Sequence, residues 1–179
     1  MLDNALITLI IATIIAGEAI AGVSGTPIQQ AFQPTQQGIP KTTSAFLYKV
    51  GDVALGFPSR TDVWDEDTAT MIHTESQKYE TTFQISAQSI QDPLDQSQYT
   101  ASDILNLIRS ILQSSDTIAT FIASGVGILR VHDIRNASFS DDYARNEYSP
   151  SLDFVIEHTQ TITSTAPVVE SVDFILDRV

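Results

Sequence analysis

From position 78 to 87 the chain alternates without a break. Tyr79, Thr81, Phe83, Ile85 and Ala87 fall on one side, and Lys78, Glu80, Thr82, Gln84 and Ser86 on the other. A period of two places successive side chains on opposite faces, so this run predicts a strand with one buried and one wet face. Its Thr, Tyr, Phe and Ile residues suit a pleated surface. The strand is expected over 71–89. Its outer half, 71–77, is more polar and less regular and should extend toward the acidic stretch 62–70. A strand this long needs partners on both edges and a layer over its apolar face.

The remaining segments supply those partners. Residues 2–23 are the most apolar of the chain and read as a helix capped by Asp3 or Asn4 and ended by Gly22 or Gly25. A signal peptide fits poorly, because Asp3 and no Lys or Arg precedes the apolar run. A membrane span fits poorly too, because Glu18 cuts the run short of the ~20 residues a bilayer requires. Near all-round apolarity predicts burial on most sides, by a neighbouring subunit as well as by the sheet. Residues 28–32 and 44–50 read as short strands, separated by a turn with Pro34, Gly38 and Pro40. Residues 53–64 read as an arm or loop around Gly56 and Pro58.

Thr100 followed by Asp103 forms a capping-box pattern, and Ile104, Leu105, Leu107, Ile108, Ile111 and Leu112 give an apolar helical stripe. This helix is the candidate cover for the central strand. A short second helix follows, capped at Ser115 or Asp116 and stopped at Gly125. Residues 126–135 predict a strand, 138–150 a polar loop, 152–162 another alternating strand, and 167–179 a last strand or extended arm. The fold class is therefore α+β, a mixed, mostly antiparallel sheet packed against helices. We read one domain over 1–179: the apolar helix in 1–25, strands and loops in 26–99, the helix pair in 100–124, and C-terminal strands in 126–179.

Composition narrows the chemistry. The 179 residues allow one sizeable core. No cysteine is present, which excludes disulfides, a thiolate nucleophile and a cysteine zinc site. The net charge of −13, with the basic residues scattered, argues against a nucleic-acid grip; it reads first as a solubility charge, and also suits a surface that nucleic acid slides past. The glycines at 125 and 127 lack the third glycine of a dinucleotide loop and follow a helix. There is no phosphate-binding loop and no nucleophile elbow. His73 and Glu75 share a strand face, as metal ligands can, whereas His132–Asp133 and Glu157–His158 point opposite ways. The acidic clusters lack the spacing of a calcium loop. No catalytic, cofactor-binding or metal-ligating residue is assigned, and no enzyme activity is expected. Arg130, Arg135 and Arg145 are expected to pair with acids.

Six segments carry a resemblance: AFQPTQQGIPK (31–41), GFPSRTDVWD (56–65), HTESQKYETTFQISA (73–87), TASDILN (100–106), GVGILRV (125–131) and PVVES (167–171). In this order they resemble the neck or tail terminator proteins of tailed bacteriophages, from about Thr26 onward. The resemblance implies a tail-terminator-like α+β subunit of a homo-oligomeric, usually hexameric, ring at the head-proximal end of the tail. Such a ring ends polymerisation of the tail tube protein, joins a head-closure or adaptor protein of the neck, and passes DNA through its lumen. It also implies a virion location after assembly in the host cytoplasm, with no membrane partner. Candidate interface residues are Arg60, Asp62, Trp64, Asp65, Asp142 and Arg145, within the loops 33–41, 56–67, 89–99 and 140–150. The alternatives are another neck component, a small enzyme or metal-binding domain, and a membrane-anchored protein.

Overall fold

The computed structural model describes residues 3–23, 26–31, 43–89, 94, 97–140 and 146–167. Its elements run α1 (Asp3–Ile20), β1 (Ile28–Gln30), β2 (Ser44–Asp65), β3 (Thr70–Gln88), α2 (Ala101–Leu112), α3 (Ser115–Ala123), β4 (Val126–Val131), β5 (Arg135–Ser140) and β6 (Asn146–Pro167). The strands form one sheet in the order β1-β2-β3-β6-β4, with β5 also on β6. Among the described strands only β1 and β2 pair in parallel, so the sheet is mixed and mostly antiparallel, as the pattern predicts.

The long alternating strand is the centre of this sheet. Thr81, Phe83, Ile85 and Ala87 are fully buried, and their register partners Leu47, Ala45, Leu152, Phe154 and Ile156 are buried with them. Phe83 and Phe154 face each other across the β3–β6 pair with stacked rings, centroids 5.7 Å apart. The helices cover this face alone. Thr100 accepts from the Asp103 amide while the Asp103 carboxylate accepts from the Thr100 amide, closing the capping box at the start of α2. Ile104, Leu105, Ile108, Ile111 and Leu112 then point into the core, joined by Phe121 from α3.

Helix α1 departs from expectation in how it is buried. One stripe is covered: Leu6, Ile7, Ile10, Thr13, Ile14 and Glu18. Ile15 and Ile20 stand exposed on the other side. The helix is long and apolar enough to cross a membrane by length and composition, yet a third of it is buried in the core of this fold. It crosses α2 closely at Gly17, where an added Cβ would sit 2.4 Å from Ile111 Cγ2. Its end matches the predicted glycine stop. Gly22 takes φ 74°, Val23 N–H donates to the Glu18 carbonyl, and Gly22 N–H donates to that of Ala19. This double bond pattern satisfies the last carbonyls of a helix and favours glycine at that position.

Two other expectations need correction. Within the run read as a loop at 138–150, residues 138–140 and 146–150 are strand, with Arg135–Ser140 paired antiparallel to the first part of β6. The strand expected over 126–135 breaks after Val131, so its two ends lie in separate strands, β4 and β5. Polarity misled in the first case, because the outer face of a one-sided sheet is also polar. The turn expected at 33–41 falls outside the described residues, as does the end of the chain from 168.

Candidate assembly surface

The sheet does not stop where the helices do. Beyond Thr81 the three strands β2, β3 and β6 continue together as an arm, with β3 in the middle. From Thr81 to Thr70 the arm spans about 36 Å, at about 3.3 Å per residue. Residues 53–64, read from sequence as an arm or loop, are therefore strand, within β2. The stretch shows no alternation of buried and exposed positions because neither of its faces meets the core. Apolar side chains are exposed on the arm: Phe57 is 98% accessible and Trp64 43%, with Val53 and Val63 also open on β2, and Ile162 on β6 is 61% accessible.

A bulge interrupts β2 inside the arm. Leu55 pairs with Lys78 and Ser59 with Ser76, leaving Gly56, Phe57 and Pro58 outside the ladder. Gly56 takes φ 67°, a conformation that bulges assign to glycine. At the tip the Asp65 carboxylate accepts from the Asp67 amide at 3.1 Å and the Thr68 hydroxyl at 2.7 Å. The hydroxyl, then the amide, hold its pKa below the usual carboxylate range.

Pleat parity sorts the predicted interface residues. Arg60, Asp62 and Trp64 share the face on which the helices lie, and Asp65 lies on the other. Arg60 pairs with Glu75, and Asp62 with His73 Nδ1 at 2.6 Å. His73 and Glu75 thus share a face, as read, but each is engaged by a β2 partner. Trp64 stands opposite Met71. Asp142 and Arg145 lie outside the described residues. Among the described residues, no three His, Asp or Glu side chains come together as metal ligands.

At the base of the arm lies a cluster that sequence reasoning did not assemble. Asp3, Asn4, Lys49, Asp52, Tyr79, His158 and Gln160 line a hollow of about 550 Å³. Lys49 pairs with Asp52 and with Asp3, the latter at 2.8 Å. Burial lowers the Lys49 pKa, but the hydrogen bonds to Asp3 and Asp52 outweigh it and hold the ammonium above its ordinary value. Buried Thr81 donates to Asp52 Oδ1 at 2.6 Å. With that proton committed, its oxygen accepts from Nε2–H of His158 at 3.0 Å, which fixes the tautomer. Among the described residues His158 Nδ1, though buried, has no hydrogen-bond partner, and Tyr79 stacks on the ring. Burial pushes the His158 pKa down, so the ring is held neutral. The only sequence signal for this cluster was Thr81, a polar residue on the apolar side of the alternation.

Among the described residues, no helix covers the opposite face of the sheet, and much of it is polar. A hydrogen-bond chain crosses four strands there: Tyr48 donates to Gln84, Gln84 to Asp153, and Arg135 pairs with Asp153. Lys78–Glu157 at 2.9 Å and Arg130–Glu80 at 3.9 Å lie farther along. Arg130 and Arg135 thus find the acidic partners expected of them. The charges on this face are balanced in pairs, although the chain as a whole is strongly acidic.

No curated protein matches the chain. A family model described as "E217 gateway protein gp29" matches residues 5–168, nearly its whole length. The chain belongs to this family of phage gateway proteins, a structural family of the phage neck.

Proposed function

From membership of the gateway family, we propose that the protein is a ring-forming subunit at the junction of phage head and tail, with DNA passing through the lumen. The observation that carries this reading is the arm. Three strands leave the helix layer with both faces accessible and with Phe57, Val63, Trp64 and Ile162 exposed on them. A narrow sheet without a layer over it gains little stability alone, and a neighbouring copy would supply the missing cover. The acidic chain gives passing phosphates little to hold them.

In the finer reading the ring is a hexamer that ends tail-tube polymerisation and offers its other surface to a head-closure or adaptor protein. That half draws on the resemblance to tail terminators. The protein would assemble in the host cytoplasm and remain in the virion. Native mass spectrometry and negative-stain electron microscopy of the purified chain, with and without tail tube, test the proposal. Closed rings, seated on tube ends, are the expected result. A chain that stays monomeric with both tail-tube and neck partners present overturns it.

A further inference from the structure

The arm has two unequal faces and two open edges. On the face turned away from the helices lie Ser59, Thr61, Thr74, Ser76, Thr161 and Thr163, with Val63 and Ile72 nearer the end, and no charge falls between Lys78 and Asp65 at the tip. Arg60, Asp62, His73 and Glu75 lie on the helix side, paired with one another, whereas Asp65 at the tip and Lys78 and Glu80 at the base lie on the other face. Along β6 the stretch 160–166 is uncharged, and its register with β3 is unbroken from Thr70 to Ser86. Among the described residues no strand lies on its outer side, nor on the outer side of β2 over 59–65. Both strands run antiparallel to β3, hence parallel to each other.

We infer that copies of this chain join edge to edge, the 160–166 stretch of β6 pairing in parallel with the 59–65 stretch of a neighbour's β2, so that the arms close into one barrel. The inference rests on the ring reading and specifies its contact. An open edge is a template for strand addition, and a head-to-tail contact of this kind closes when the rotation allows. The helices occupy one face only and must stay outside, so the hydroxyl face lines the lumen. With three strands per copy, six copies give eighteen strands. At about 4.8 Å between strands and about 40° of tilt, the backbone diameter is about 36 Å, wide enough for an aqueous channel. Ser and Thr hydroxyls wet such a channel without fixing cations along it, which suits the passage of DNA.

The chain has no cysteine, so paired single-cysteine variants report the contact directly. Ile162→Cys is mixed with Arg60→Cys, Asp62→Cys or Trp64→Cys, which share its side of the pleat, and separately with Thr61→Cys or Val63→Cys, which do not. The mixtures are oxidised after assembly and imaged. The expected result is inter-copy dimer with a member of the first group and loss of it with the second, and the reverse for Thr163→Cys. Rings that form without these cross-links, or with cross-links indifferent to parity, overturn the inference and leave the ring reading standing. Absence of rings in the unsubstituted protein overturns both. Closure within one chain between Ile162→Cys and Phe174→Cys assigns the edge to the protein's own last segment and also overturns it.

Discussion

Thr81→Val tests the polar joint at the base of the arm. The substitution keeps the shape of a fully buried side chain and removes its hydroxyl. Asp52 loses one donor but keeps Lys49. His158 fares worse: its Nε2–H loses the only acceptor shown for it, and Nδ1 already lacks a partner among the described residues. A buried polar group left unsatisfied costs about 1–3 kcal/mol, so we expect a loss of about 2 kcal/mol. With a urea slope of about 2 kcal/mol per molar, the unfolding midpoint falls by about 1 M. Thr81→Ser is the control, because it keeps the hydroxyl and removes only a methyl group, worth about 0.8 kcal/mol. Urea unfolding followed by circular dichroism should rank wild type above Thr81→Ser, and Thr81→Ser above Thr81→Val. If valine is as stable as serine or more so, the hydroxyl does not organise this joint.

Three further outcomes follow from the packing and the buried ionisable groups. Burial raises the Glu18 pKa from 4.5 to about 7, so the folded chain holds a proton that the unfolded chain has released. The associated stability is present below pH 4.5 and lost as pH rises toward 7. Glu18→Gln should melt near wild type at pH 4 and above it at pH 8. His158 has the opposite sign: its pKa is lowered, so stability present above 6.5 is lost as pH falls, and the acid limb of the melting curve should flatten in His158→Asn. Gly17→Ala should lower the melting temperature, because about 1–3 kcal/mol of overpacking against Ile111 exceeds the gain of about 1 kcal/mol in helix propensity. The same change should cost less in an Ile111→Ala background, as a double-mutant cycle would measure.

Local signals made much of the fold legible. The alternation at 78–87 located the central strand and its buried face, and Thr100 with Asp103 marked the start of α2 to the residue. Those features depend on side chains close in sequence. The first helix shows where such reading stops. Its composition is apolar all round, but only contacts with α2, α3 and the sheet decide which stripe is covered. The 53–64 stretch was ambiguous for the converse reason, since a strand open on both faces leaves no hydrophobic alternation to read. Its candidate residues were identified singly, and only the β2–β3 register put Arg60, Asp62 and Trp64 on one face beside Glu75, His73 and Met71. The joint at Thr81 needed three strands and the start of α1 to meet, which no window of sequence displays.

If copies join as proposed, the bulge at Gly56, Phe57 and Pro58 bears on how that assembly would begin. It withdraws three residues from the outer margin of β2, leaving 59–65 as the unbroken stretch available to another strand. That is about 23 Å of ladder, a modest contact against the roughly 4–15 kcal/mol lost when two bodies give up independent motion. Pairs of copies joined there alone should be short-lived, and stray strands should find poor purchase. The last copy to arrive makes two such contacts for one loss of freedom. A shortened margin thus favours complete circles over open chains, and makes their appearance steep in concentration or dependent on a surface that gathers the copies.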